Sequence, residues 1–368
     1  MEKKIRVLHV FECFDQGGIE NFVMNIYRNM DRSKVEFDFA FINRTEGVFD
    51  DEARALGGNI YYFQTEKKTI SNYYVSLKKI IKEHGPYDVI HSHMYYFSGV
   101  ILLFAKWFGV PKRIAHSHET SKGRKNTMAR RLYERIMRSL IRRNANCLLS
   151  CTDIAGDFVF GESADCTTLY NGIDMTRFRF NPNARESIRK QLKIENKKVL
   201  ICIGRFADQK NHFYLIDCFE QIHKWEKDVA LILIGTGSLM DDVKQVVKEK
   251  QLEDSVIFLS NIMNTEDYYS ASDIFLLPAK YEGMSIVSVE AQAMGLPCLL
   301  SDRVPSEIDA TDLVVHLPIG REDVEKWVDS SIELLQKPID RVSYNEIFKN
   351  SKFDIINTVN QLSDIYGG

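Results

Sequence analysis

One pattern limits the fold of this chain more than any other. Short β-branched or aromatic runs alternate with helical patterns, and they do so twice. The first series passes through "IRVLHVF", "GGIENFVMNIYRNM", "VEFDFAFI", "YDVIHSHM", an apolar helical stretch from Phe97, "RIAHSH", "ANCLLSCT" and "CTTLYNGID". After Asp174 the rhythm breaks into "MTRFRFNPNARESIRKQLKIENKK", which is polar, carries a proline and lacks a strong strand signal. It restarts with "KVLICIGRF", "VALILIGTG", "SVIFLS", "DIFLLPA" and "PCLLSD". Strand–helix alternation places helices on the faces of parallel sheets. The expected fold class is therefore α/β, with two doubly wound parallel-sheet domains at 1–175 and 176–345, joined by a linker near 175–196. Residues 346–368 form a terminal helix, "IINTVNQLSDIY", for which packing back on the N-terminal domain is the option considered. In such sheets ligands bind beyond the carboxyl ends of the strands. With two facing domains, that means the interdomain cleft.

Composition excludes some function classes. A length of 368 residues suits two domains, each able to bury a core. The net charge of −3 argues against a generally cationic nucleic-acid binder, and no nucleic-acid partner is expected. The longest apolar stretch, Phe97 to Val110, contains Lys106 and is too short to cross a bilayer. The N-terminal "MEKKIRVLHVFECF" is too short and too charged for a signal peptide. Seven cysteines without a CxxC pair read as reduced small hydrophobes. The expected location is cytoplasmic.

Several motifs could carry chemistry. Gly17 and Gly18 stand between the first strand and a helix, where backbone amides can approach a phosphate or sugar; a tight turn would use the same glycines. Arg205 and Lys210, in "IGRFADQKNH", follow a buried-looking strand, and two cations in one loop suit a diphosphate. "LILIGTGSLMDDV" is only half of a dinucleotide fingerprint, because Met240 stands where a third glycine belongs, and reads as a plain strand-to-helix turn. Two "HSH" triplets, His91 to His93 and His116 to His118, each close a strand. Imidazoles two apart along a strand share a face, but no Cys or carboxylate repeats at ligand spacing beside them. The pattern favours one histidine on a sugar hydroxyl or phosphate, His118 or else His116, and no metal site.

The stretch "KYEGMSIVSVEAQAMGLPCLLSD" holds a misplaced charge. On a helix from Ser285 to Met294, Ser285, Ser288 and Gln292 share a narrow arc that suits solvent. Glu290 falls opposite, between Ile286 and Met294. A buried carboxylate is costly unless paired or hydrogen-bonded; an ion pair or a differently rotated helix would remove the cost. A polyhydroxyl ligand such as ribose would also use it, since its diol matches two carboxylate oxygens. Glu282, Gly283, Met284 and Ser285 form the loop entering that helix, whose free amides suit a diphosphate. From Lys122 to Arg143 there are nine basic residues and one acid, Glu134. Arg131, Arg135, Arg138 and Arg142 follow helical spacing, with Leu132, Tyr133, Ile136, Met137 and Leu140 on the other face. Such a helix, 122–143, matches anionic lipid headgroups.

Together these pieces resemble the retaining glycosyltransferases of family 4, which have the GT-B fold of two Rossmann-like domains. "YEGMSIVSVEAQAMGLPCLLSD" looks like their E-x7-E region and "GRFADQKN" like their donor-phosphate motif. "GGIENFV" resembles their glycine loop, and "LYNGID" the segment closing the first domain. "EAQAMGLPCLLSD" and "RIAHSH" resemble the bacterial capsule and exopolysaccharide branch. The resemblance implies an acceptor-side first domain and a nucleotide-sugar-binding second domain. It assigns Arg205 and Lys210 to the donor diphosphate, Glu290 to the ribose, and Glu282 with Gly283, Met284 and Ser285 to the transferred sugar and phosphate. Gly17 and Gly18 would approach the diphosphate, and His118 the sugar. The catalytic set so implied is Glu282, His118, Arg205 and Lys210. No Asp-x-Asp sequence occurs, in keeping with the metal-independent habit of GT-B enzymes, so no cofactor is expected. The family implies a nucleotide-sugar donor (a UDP-sugar), a polysaccharide or lipid-linked saccharide acceptor, and retention by front-face attack with the leaving phosphate as base. Met284 and Ser285 stand where many members have a bulkier aromatic, so a different donor sugar could follow. The alternatives are a nucleotide-sugar epimerase of the same fold and a non-catalytic sugar-binding protein.

Overall fold

The computed structural model of the protein describes residues 3–12, 18–43, 47–63, 69–118, 127–349 and 351–367. It contains two compact units, Met1–Gly172 with Ile355–Gly368, and Ile173–Asp354. In the first, β1 (Ile5–Phe11), β2 (Val35–Phe41), β3 (Ile60–Tyr62), β4 (Val89–Ser92), β5 (Lys112–Ser117), β6 (Cys147–Ser150) and β7 (Thr167–Thr168) form one sheet. Its order is β3-β2-β1-β4-β5-β6-β7, and every pairing is parallel.

The period-two alternation of these strands divides the first unit into two cores. Val7, Phe11, Phe37, Phe39, Phe41, Val89 and Ile114 face one side. Leu8, Val10, Ala40, Ile90 and Ala115 face the other. The first side is covered by the helix Gly18–Asn29 and by the terminal helix Ile355–Gly367, through Ile355, Val359, Leu362 and Tyr366. The helices Ile70–His84 and Ser98–Trp107 cover the second.

The second unit contains β8 (Lys198–Ile203), β9 (Val229–Ile234), β10 (Val256–Leu259), β11 (Ile274–Leu277), β12 (Cys298–Ser301) and β13 (Val314–Leu317). They form a parallel sheet in the order β10-β9-β8-β11-β12-β13. The polar stretch near 175–196 is not merely a linker, since it holds the helix Pro182–Leu192. Asn181 caps that helix through its side chain, and Pro182 opens it, where a missing N–H costs nothing. Arg185 and Arg189 then grip Asp273, with Nη2···Oδ distances of 2.5 and 2.7 Å, just ahead of β11.

The unit limits differ from the sequence expectation. The first changeover falls at Ile173. The second falls at Ile355 rather than 346, because Phe348 and Phe353 are buried in the second unit and the Ile173 amide donates to the Phe353 carbonyl at 2.8 Å. Among the described residues no helix is long and apolar enough to cross a membrane, and no disulfide joins the described cysteines.

Leu362 is completely buried on the first sheet face. Leu362→Ala should therefore cost about 2–5 kcal/mol, read as a lowered midpoint of chemical denaturation for the first unit. A loss below about 1 kcal/mol would contradict the packing described for this helix.

Candidate functional site

In each sheet the strand order reverses at one place, between β1 and β4 in the first unit and between β8 and β11 in the second. Loops leaving the carboxyl ends there diverge to opposite faces and open a crevice. The residues singled out in the sequence gather at these two places.

In the second unit the loop after β8 rests on backbone. Gly204 N donates to the Ile234 carbonyl at 2.9 Å, Phe206 N to Thr236 at 2.8 Å, and Leu239 N to Phe206 at 3.0 Å. Gly235 and Gly237, at φ +155° and +152°, make this approach feasible. A Cβ on Gly235 would lie 2.1 Å from the Gly204 oxygen, and one on Gly237 2.4 Å from that of Phe206. The "GTG" turn is thus a prop under the "GRF" loop. Arg205 is exposed at the tip. Lys210 folds its stem over Gly204, where a Cβ would sit 3.0 Å from Lys210 Cε.

Lys210 Nζ pairs with Glu282 Oε1 at 2.6 Å, with only 13% and 8% of the two side chains exposed. Gln209 Nε2 donates to the Tyr281 carbonyl at 3.1 Å, and the Lys280 amide to the Gln209 carbonyl at 2.8 Å. The loops after β8 and β11 are thereby laced together across the reversal point. Gly283 and Met284 are half-buried in this loop, and Ser285 is buried.

The helix that follows is Ile286–Ala293, and it is turned the other way from the sequence expectation. Ser285, Ser288 and Gln292 are buried rather than solvent-facing. Their polar groups are satisfied locally. The Ser285 and Ser288 hydroxyls lie 2.8 Å apart, Gln292 Nε2 donates to the Ile308 carbonyl at 3.0 Å, and the Ala310 amide donates to Gln292 Oε1 at 2.9 Å. The more accessible arc instead holds Ile286, Val287 and Glu290, all half-buried. Glu290 Oε2 accepts from the Tyr269 hydroxyl at 3.0 Å. Burial pushes its carboxyl up from 4.5 to about 7, against the opposing pull of that hydroxyl and of Arg177. Arg177 is itself held by Glu266 at 2.8 Å. Tyr269 and Arg177 were invisible to the motif reading; only the aromatic pair in "EDYYS" hinted at a partner.

The first unit brings together more histidines than the two triplets suggest. His9 on β1 stands in register with His91 on β4. His9, His91, His93, His116 and His118 alternate onto the same sheet face. The single binding histidine of the sequence reading is in fact one of five. They form two chains. His9 Nδ1 lies 3.1 Å from His93 Nε2, and His93 Nδ1 lies 3.0 Å from His118 Nε2. Tyr366 Oη lies 2.8 Å from His91 Nδ1, and His91 Nε2 lies 3.1 Å from His116 Nδ1. Burial holds His9 and His118 down at about 3 and the other three well below the usual imidazole value, so all five are neutral at pH 7. Each neutral ring has one N–H, so the tautomers along a chain are set together. Gly18 opens the helix Gly18–Asn29 and is exposed; Gly17 lies outside the described residues.

Residues 16–177 match the model of Glycosyltransferase Family 4, and residues 184–351 that of Glycosyl transferases group 1. EpsF of Bacillus subtilis is 34% identical over 332 residues, spanning 88% of this chain and 86% of its own. The chain belongs to glycosyltransferase family 4. The Staphylococcus aureus capsular polysaccharide biosynthesis glycosyltransferase CapH is 25% identical, over 98% of both chains. An Escherichia coli UDP-Gal:α-D-GlcNAc-diphosphoundecaprenol α-1,3-galactosyltransferase is also 25% identical, over 99% of this chain and 97% of its own. The fold matches the crystal structure of Anabaena HepE in complex with UDP, with a TM-score of 0.80 at 18% identity over 99% of this chain and all of that one. The GT-B architecture and the glycosyltransferase class follow.

The basic helix of this glycosyltransferase differs from its expected layout. Its described part is Met128–Asn144; residues 122–126 lie outside the described residues. Arg138 and Arg142 turn inward, donating to the Val159 and Phe160 carbonyls at 2.9 and 2.6 Å, and so cap the helix Asp153–Phe160. Met137, Leu140 and Ile141 pack on the helix Ser98–Trp107 at Gly99, where a Cβ would lie 2.8 Å from the Met137 carbonyl. Met128, Leu132 and Ile136 are 88%, 58% and 48% exposed beside the exposed Arg131 and Arg135.

The Lys210–Glu282 pair generates a stability prediction. Removing one member takes away the charge that offsets the other in a largely buried setting, at a cost of about 3–5 kcal/mol. Lys210→Met and Glu282→Gln should each lower the denaturation midpoint of the second unit, and the double variant should lose less than the sum. Additive losses would show that the two groups do not interact.

Proposed function

We propose that this glycosyltransferase uses a UDP-sugar, retains the configuration of the transferred sugar, and extends a lipid-linked intermediate of a capsular or exopolysaccharide. The observation that carries the donor reading is the set at the β8/β11 reversal point: Lys210 paired with Glu282, exposed Arg205 beside them, and half-buried Glu290 one turn into the next helix. Two cations at a strand end match a diphosphate. A carboxylate whose second oxygen is open matches a vicinal diol. UDP as the nucleotide is supported by the UDP bound in the HepE structure and by the UDP-Gal donor for which the Escherichia coli relative is named. That relative also names a diphosphoundecaprenol acceptor, and CapH names capsule biosynthesis.

In the reaction the bond between the anomeric carbon and the diphosphate oxygen breaks, and the electron pair leaves with the diphosphate. Arg205 and Lys210 stabilise that charge where a metal would otherwise do so, and transfer needs no cofactor. The acceptor oxygen bonds to the anomeric carbon on the face the diphosphate vacates, and its proton passes to a leaving phosphate oxygen. Glu282, released from Lys210 as the diphosphate arrives, takes a hydroxyl of the sugar with the amides of Gly283, Met284 and Ser285. In the first unit, His118 serves the sugar and the Gly17–Gly18 loop the phosphates.

The lipid-linked acceptor gains support from the helix Met128–Asn144. Its outward arc sets Met128, Leu132 and Ile136 between arginines, the arrangement that lets apolar side chains enter an interface while guanidiniums meet headgroup phosphates.

Three outcomes test this reading. Glu290→Ala and Lys210→Ala should each lower transfer at least 100-fold in protein that remains folded by circular dichroism; near-normal transfer by either overturns the site. UDP affinity, measured calorimetrically, should rise as pH climbs towards about 7, because the diol needs the ionised Glu290. Stability of the free protein should run the opposite way. A raised carboxyl favours the folded state while protonated, fully below about 4.5, and that contribution is lost as pH rises through about 7. Glu290→Gln should flatten both trends. Finally, the protein should float with vesicles containing anionic lipid and not with neutral ones, and Leu132→Ser with Ile136→Ser should reduce recovery severalfold.

A further inference from the structure

The histidine cluster offers more than hydrogen bonds to a sugar. One nitrogen from each of His93, His116 and His118 lies within 4.8 Å of the other two. His116 Nε2 is buried and has no hydrogen-bond partner among the described residues. An orphaned, buried imidazole nitrogen is costly unless something occupies it. We propose that His93, His116 and His118 form a binding site for a late first-row divalent cation of the zinc, cobalt and nickel type, and that its occupancy blocks transfer by taking His118.

One ligand distance already suits such an ion. Tetrahedral zinc with nitrogen ligands at about 2.0–2.1 Å sets those nitrogens about 3.3 Å apart. His93 Nδ1 and His118 Nε2 already stand 3.0 Å apart, sharing a proton that the ion would replace. The remaining bonds hold the rings in the tautomers coordination needs. With His93 bound through Nδ1, its Nε2–H faces His9 Nδ1. With His116 bound through Nε2, its Nδ1–H faces His91 Nε2, which passes the remaining proton towards Tyr366. Phe22 stands edge-on to both His116 and His118, at 5.4 and 5.5 Å between centroids, and restrains them.

Among the described residues the trio has no carboxylate or thiolate beside it, and three neutral imidazoles select borderline cations over magnesium, calcium or manganese. They leave a fourth position for water or substrate. The trio His9, His91 and His93 also has its nitrogens within 4.8 Å, but Phe11, Phe37 and Phe39 close around it. Half-buried His118 gives the other trio an entrance. The inhibitory consequence rests on the sugar-binding role given to His118 above; the site itself does not.

The experiment uses the full chain stripped of metal, with cobalt(II) as the probe. Equilibrium dialysis should find one cobalt per chain at micromolar concentration, with a visible absorption band, displaced by zinc and not by magnesium. His116→Gln and His118→Gln should each weaken cobalt binding at least tenfold, while exposed His84→Gln leaves it unchanged. If His116→Gln fails to fold, the half-buried His118→Gln carries the test alone. No stoichiometric uptake, or a loss smaller than tenfold in a folded variant, overturns the site. Zinc should also abolish transfer, and a chelator should restore it. Transfer unaffected by zinc in protein that binds cobalt would separate a faulty role for His118 from a faulty metal site, as would intact UDP binding by metal-free protein.

Discussion

Every strand in each sheet runs parallel, and the chemistry of this protein depends on that constraint. Parallel strands need crossovers, and once crossovers use both faces of a sheet, neighbouring loops must diverge at one place. In the second unit that place lies between β8 and β11. The loops there would hold a gap, and two devices define it. Gly235 and Gly237 let the β9 turn press against the β8 loop backbone. The Lys210–Glu282 pair then ties the β8 loop to the β11 loop. A buried ion pair of this kind is a poor source of stability, since desolvation offsets most of its attraction. In the donor role proposed for Lys210, the pair holds a cation ready for release to a more highly charged partner.

The first unit meets the same constraint with different chemistry. Between β1 and β4 the sheet carries imidazoles where other sheet positions carry phenyl rings or valine. The rings stack on one another, with 4.0 Å between the His116 and His118 centroids and 4.3 Å between those of His91 and His93. A buried layer of neutral histidines can pack like an aromatic core and still present nitrogen lone pairs. That dual character lets imidazoles sit beneath Phe22 and beside Phe37, at the cost of leaving His116 Nε2 and His9 Nε2 without partners among the described residues.

Most of the architecture was legible in the sequence because strand and helix periods differ, and because the motifs stand at strand ends. Arg205, Lys210, Glu282 and Glu290 could be named for that reason. The helix Ile286–Ala293 shows where the reading stops. Its serines and glutamine looked like a solvent edge, yet Gln292 meets the backbone of Ile308 and Ala310, more than a dozen residues away. Polarity predicts exposure only when no distant backbone is waiting to be satisfied. Arg138 and Arg142 escaped for the same reason, since the carbonyls they cap belong to another helix. His9 was passed over because its partners are more than eighty positions away, and register between strands is not written in either strand alone.

The arrangement of the units also governs how the chain is made. Ile173 and Asp354 pair as a parallel bridge, so the second unit begins and ends at one point. It is an insertion, placed between β7 and the helix that finishes the first unit. Domains fold as units while synthesis proceeds. Here the unit begun first must wait for the one begun second, because Leu362 and Tyr366 are translated after the whole insertion. Until they arrive, the phenylalanines of β2 and the stacked histidines have the helix Gly18–Asn29 over them but not the terminal helix. The first unit is therefore completed last, although its strands are made first.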